Sequence, residues 1–233
     1  MGIPEHAQGA TTSRLLSLSG VAAVASLAVA VAVLGGNSPG SKDSPATIRA
    51  FYASHEVREM ASSFITAAAA PLFVVFGVCL ATSLWPRTAT RRPVWQIVLV
   101  VGSAVAAVGF ILPALLHIAL TQTANNSGVS GGALQALAGL DESSWVAFNS
   151  GMGVMMLGAA GTLLAHKTYP ALGWVALVAG IALFIPLADF FALAISGLWI
   201  ITTSILLFRR GAALASTTEQ LRPRLGAHSA TGG

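Results

Sequence analysis

Charge is what this chain has least of. Only 9% of its 233 residues are Asp, Glu, Lys or Arg, while 55% are hydrophobic. Soluble domains run at about 25% charged and about 45–50% apolar. A soluble fold of this size has too much surface for so few charges, so a soluble globular protein is excluded. The same apolar excess excludes intrinsic disorder. Twelve Lys and Arg against eight acids set the pI near 10. These basic residues are scattered, which excludes a basic nucleic-acid-binding patch. A single cysteine, Cys79, leaves no intramolecular disulfide. It sits in an apolar run and reads as a packed thiol rather than a nucleophile. The sequence has no phosphate loop, haem-attachment motif, nucleotide fingerprint or serine-nucleophile elbow.

What the chain has is long apolar runs. A membrane-spanning helix needs about 20 mainly apolar residues. Six segments meet or approach this: 15–35, 61–85, 94–120, 143–165, 171–188 and 190–208. The runs are continuous rather than alternating, so they predict helices and not barrel strands. The fold class is therefore all-α: a polytopic transmembrane six-helix bundle. The transmembrane domain spans 15–210, between a short N-terminus (1–14) and a disordered tail (211–233).

The last two spans share one 38-residue stretch, 171–208, broken only by Asp189. A single helix of that length would be about 57 Å long, nearly twice the roughly 30 Å hydrocarbon core. Two helices with a turn at Asp189 fit better, with Pro186 ending one and Asp189 capping the next. The first span also resembles a signal peptide, with Ala30-Val31-Ala32 as a small-residue cleavage site. Its apolar run of 21 residues exceeds the about 7–15 of a signal h-region, which favours a span.

The positive-inside rule orients the bundle. With both termini cytoplasmic, nine basic residues lie inside and three (Lys42, Arg49 and Arg58) outside. Six acids, Asp43, Glu56, Glu59, Asp141, Glu142 and Asp189, lie outside. Trp85, Trp95 and Trp174 fall at the inner interface and Trp145 at the outer one. In the first outer loop, Asp43-Ser44-Pro45 reads as a helix start. Ile48, Phe51, Tyr52 and His55 follow at helical spacing, so an amphipathic helix is expected there, on the membrane surface or over the bundle. In the second outer loop, 133–140 reads as a short helical cap.

Asp43-Ser44, Ala50-Phe51-Tyr52 and His55, with Leu172-Gly173-Trp174 and Trp199, resemble a family of multi-pass proteins of high-GC Gram-positive bacteria. That family is defined as a domain of unknown function. Arg outnumbering Lys ten to two, with abundant Ala and Gly, agrees with such a source. The likeness covers about 15–210. It implies a six-helix plasma-membrane protein and carries over no catalytic or ligand residues.

Six polar residues fall in the outer half of this topology: His55, Glu56, Glu59, His117, Asn149 and Asp189. They are the candidates for an outward-facing polar pocket. His55 and Glu59 are four apart and would share a helix face. They read either as an ordinary polar pair or as part of a metal site, which would need a third ligand. His117, four residues after Pro113, reads as an interfacial histidine or as a ligand or relay beside a kink. Asp189 reads as a helix cap or as a buried functional acid. Asn149 reads as an interhelical hydrogen-bonding group. Gly151, Gly153, Gly158 and Gly161 suit close helix packing. Trp199, near mid-membrane, needs a partner for its indole N–H.

These residues support a non-enzymatic membrane protein with an outward pocket or partner surface, in an accessory, sensing or envelope role. The alternatives are a small-solute or ion transporter and a membrane-embedded metal protein or enzyme. A transporter needs polar groups through the inner half, where only Gln96 and 202–204 offer them. Beyond the lipid bilayer no partner is specified, and no cofactor or metal is expected.

Overall fold

The computed structural model describes residues 15–34, 38–84, 94–167 and 169–228, with backbone only for 32–34 and 211–228. Expectations about the N-terminus, Trp85, Arg87, Arg91 and Arg92 lie outside the described residues. In chain order the helices are α1 (Ser19–Ala28), continued by a π-helical segment Val29–Leu34, α2 (Pro45–Ser54) and α3 (Glu56–Ser83). Then come α4 (Val94–Ala124), α5 (Gly131–Ala165), α6 (Pro170–Ala182) and α7 (Asp189–His228). The fold is all-helical, with no strand among the described residues.

Among the described residues four helices are long and apolar enough to cross a membrane: Glu56–Ser83, Val94–Ala124, Gly131–Ala165 and, within α7, Asp189–Arg210. The segments read as the first and fifth spans form shorter apolar helices, Ser19–Val31 and Pro170–Ala182. At 13 residues, α6 is about 20 Å long, less than the roughly 30 Å of a hydrocarbon core. It ends before Pro186, as that residue's missing N–H dictates, and the turn reaches Leu187 at φ 75° before α7 starts at Asp189. The tail read as disordered from 211 instead keeps helical backbone to His228. Ala212, Ala213, Leu214 and Ala215 are strong helix formers, and the helical backbone passes through the single Gly211 that separates them from Arg210.

The start of α2 is as the sequence predicts. The Ser44 hydroxyl accepts a hydrogen bond from the Thr47 N–H at 3.1 Å, and Pro45 occupies the first turn. This helix packs over protein: Ile48 and Tyr52 are buried against Leu120 and Ala124 of α4 and Leu134 and Ala138 of α5. The short cap at 133–140 and the fourth span are one continuous helix, α5, capped by Ser130. Asp141 to Ser144 are polar but hold no breaker, so the helix runs through them.

α3, α4 and α5 form the centre. Between α4 and α5 the backbones touch. A methyl group on Gly102 would strike the Met155 backbone, and one on Gly109 the Phe148 backbone. On the facing helix, Gly151 meets Ala106 and Gly158 meets Leu99 in the same way. Both glycine pairs are seven residues apart, the repeat of a left-handed helix seam. Gly153 and Gly161 accommodate the Phe184 and Trp95 rings instead. Phe73, Phe110 and Phe148, one from each central helix, stack with ring centroids 5.1 and 4.1 Å apart. α6 packs on α5, and α7 on α1 and α6. Trp199 finds its partner: its indole N–H donates to the Leu172 carbonyl oxygen at 2.9 Å.

Candidate functional site

The polar side chains gather at the end of the bundle that carries α2. Glu59 lies in the first turns of α3 and is 1% exposed. Its Oε2 faces His117 Nδ1 of α4 at 3.2 Å, and its Oε1 accepts from Arg58 at 3.0 Å. The other ring nitrogen of His117, Nε2, lies 2.9 Å from Asp141 Oδ2 of α5. One imidazole thus bridges two carboxylates from the neighbouring helices. Both contacts are donor-to-acceptor bonds only when the ring carries a proton on each nitrogen. With Arg58 the cluster then balances two positive against two negative charges, the arrangement that makes burying Glu59 affordable in free energy.

A roof of loop and helix covers this cluster. Tyr52 of α2 sets its ring edge-on to His117, with centroids 5.9 Å apart. Burial, reinforced by the charges of Asp141 and Glu59, pushes the Tyr52 phenol well above its ordinary pKa. Arg49 donates to the carbonyls of Ala124, Asn126 and Val129 at 2.8–3.2 Å, closing the end of α4. Glu142 takes hydrogen bonds from the Ser41 N–H and hydroxyl at 2.8 and 2.7 Å. The roof is therefore tied to α4 and α5 by charge-assisted bonds.

The six sequence candidates divide into four groups. Glu59 and His117 meet. Glu56 accepts from Asn125 at 3.0 Å, at the exposed rim. His55 turns back onto its own helix end, with Nδ1 2.9 Å from the Phe51 carbonyl oxygen and 3.0 Å from the Ser54 hydroxyl. The helix breaks at His55 (φ −117°, ψ 19°), so the expected shared face with Glu59 does not form. Asn149 and Asp189 pair at 3.3 Å in a second layer. Asn149 is eight residues after Asp141 on α5, hence about 12 Å deeper along the bundle. The Asp189 carboxylate also accepts from the Phe190 N–H at 2.8 Å; Asp189 is the first residue of α7 and Ala188 stands at the cap position expected for it.

Asp141 and Arg58 are the members that the candidate set omits. Their signal was in the sequence: each is a charge within two turns of an apolar run, at the same end of the chain's topology as His117.

Below the cluster lies a cavity of about 590 Å³, within the range of small-molecule sites. Glu59 and His117 stand at one end with Ser62, Ser63 and Thr66. The Phe73, Phe110 and Phe148 rings line it deeper in, and α1 and α7 form its remaining walls. Among the described residues no three His, Cys, Asp or Glu side chains are grouped to hold a metal. Both His117 nitrogens already face carboxylates. The arrangement can hold an apolar body against the rings and a polar end against Glu59; it offers no activated nucleophile. Comparison with known protein families, curated proteins and solved structures finds no match to this chain.

Proposed function

We propose that the chain is a six-span integral membrane protein of a bacterial plasma membrane, with both termini cytoplasmic and a ligand pocket near its outer face. The family likeness of its Asp43-Ser44 and Leu172-Gly173-Trp174 motifs belongs to the same proposal. In this reading α1 and α6 cross the bilayer with the four long helices, and α2 is an amphipathic helix roofing the outer end. Binding, in an accessory, sensing or envelope role, is the activity. The observation that carries it is the 590 Å³ cavity with Glu59 and His117 at its head.

Binding is favoured over passage by the packing of the opposite half. Leu80, Leu99, Met155 and Met156 are fully buried there, below the phenylalanine stack. Gln96 and Ser204 are buried without hydrogen-bond partners, but neither lines the cavity. A polar path from one face to the other would need such groups in a continuous row.

Labelling of single cysteines tests the topology. In a Cys79→Ala background, Asn126→Cys should react with a membrane-impermeant maleimide on intact cells, and Lys167→Cys only after lysis. Reaction of Lys167→Cys on intact cells would overturn the orientation.

A further inference from the structure

We propose that the cavity takes a single-chain amphiphile from the outer leaflet, through the gap between α1 and α7, with a head that donates hydrogen bonds: a hydroxyl or ammonium, not a carboxylate or phosphate. This rests on the membrane reading above and specifies its ligand.

The gap follows from what each helix is tied to. α1 and α7 meet where Gly20 lies against Ser204 and Ile200. Further along, a Cβ on Gly197 would sit 3.7 Å from Val24. Beyond that point the helices belong to different partners. The π-helical end of α1 is held to α3 by the Ser62 hydroxyl, which donates to the Ala30 carbonyl oxygen at 2.9 Å. The start of α7 is held to α5 by Asn149 and Asp189. The two walls of the cavity therefore diverge towards the α2 end. Val31 on one wall, 70% exposed, and Ala194 on the other, also exposed, line the cavity there. Apolar residues at the lip of a gap in a membrane-facing surface admit lipid chains and exclude water-soluble solutes.

The head chemistry follows from a donor count. At the polar end the Ser62 hydroxyl proton goes to Ala30, that of Ser63 to the Glu59 carbonyl at 2.8 Å, and that of Thr66 to the Ser62 carbonyl at 2.9 Å. The Glu59 carboxylate only accepts, and the His117 nitrogens face Glu59 and Asp141. Among the described lining side chains only the Trp145 indole N–H is left as a donor; Glu59 and the Ser62, Ser63 and Thr66 hydroxyls offer a ligand lone pairs. A head with O–H or N–H groups is satisfied there. An anionic head would bring lone pairs against lone pairs and negative charge against Glu59.

The test uses the purified full-length protein in phosphatidylcholine nanodiscs and three ligands sharing one oleyl chain: monooleoylglycerol, oleylamine and oleic acid. Native mass spectrometry and tryptophan quenching by a brominated-chain monoacylglycerol read the binding. One molecule of the glycerol or amine compound should bind per chain, at least about tenfold tighter than oleic acid, a difference of about 1.4 kcal/mol. Gly197→Leu, which fills the gap, should abolish it. Thr66→Val with Ser63→Ala, whose hydroxyls bond only carbonyls of their own helix, should lower the head preference by at least about threefold. Equal binding of oleic acid, or binding unchanged in Gly197→Leu, overturns the proposal. Binding of glycerol or ethanolamine without any chain dependence also overturns it, while leaving the pocket and the topology standing.

Discussion

The α4–α5 seam and the α1–α7 edge are both helix pairs of apolar and small residues, yet one is closed and the other open. In the seam four glycines at a seven-residue spacing let the backbones touch along several turns. At the edge one glycine, Gly20, provides the contact, and towards the α2 end residues of both helices line the cavity. Between lipid-facing helices there is little hydrophobic drive to close a gap, because lipid chains are as apolar as leucine. Packing geometry then decides, and it does so through the repeat of small residues. The edge also has its ends tied elsewhere, α1 to Ser62 and α7 to Asn149, which holds it apart.

The seam should be the most fragile place. Gly151→Val would drive a branched side chain into the Ala106 backbone, where nothing flexible can yield. We expect a loss of about 3 kcal/mol or more, seen as a collapse in folded yield and in the thermal midpoint in detergent. A variant with native yield and midpoint would mean that the two backbones are not in contact. His117→Ala comes next, because it cuts the tie across the end of α3, α4 and α5. Glu59 keeps Arg58 but loses its imidazole partner while 1% exposed, which should cost about 2–3 kcal/mol. His117→Gln, which retains one donor, should recover part of this; equal midpoints for both variants would remove the histidine bridge. Gly197→Ala at the open edge should be nearly silent, within about 0.5 kcal/mol, since its methyl meets only Val24 at ordinary contact distance. A loss as large as that of Gly151→Val would show that the edge is closed like the seam.

Local signals carried much of the architecture. Ser44-Pro45 starts α2, Pro186 and Asp189 bracket the last turn, and Trp199 finds the hydrogen-bond partner its indole needs. Each is readable because the residue acts on its own backbone or imposes its own requirement. The polar run Asp141 to Ser144 predicts a boundary, yet it holds no breaker and the helix continues through it. The expected face shared by His55 and Glu59 failed for a similar reason: helical spacing says nothing about a corner between two helices.

The sequence by itself determined the all-helical class, the apolar segments that form its helices and the residue types available for a site. Hydropathy and chain-breaking act over a few residues, so they are written locally. Only the tertiary structure decided that Glu59 meets His117 across 58 positions, that Asp141 completes the bridge, and that Asn149 and Asp189 form a separate layer. It alone left the space between α1 and α7. Those outcomes depend on which helices touch and at what height. That is set by the glycine seam and the polar ties acting together, not by any one segment.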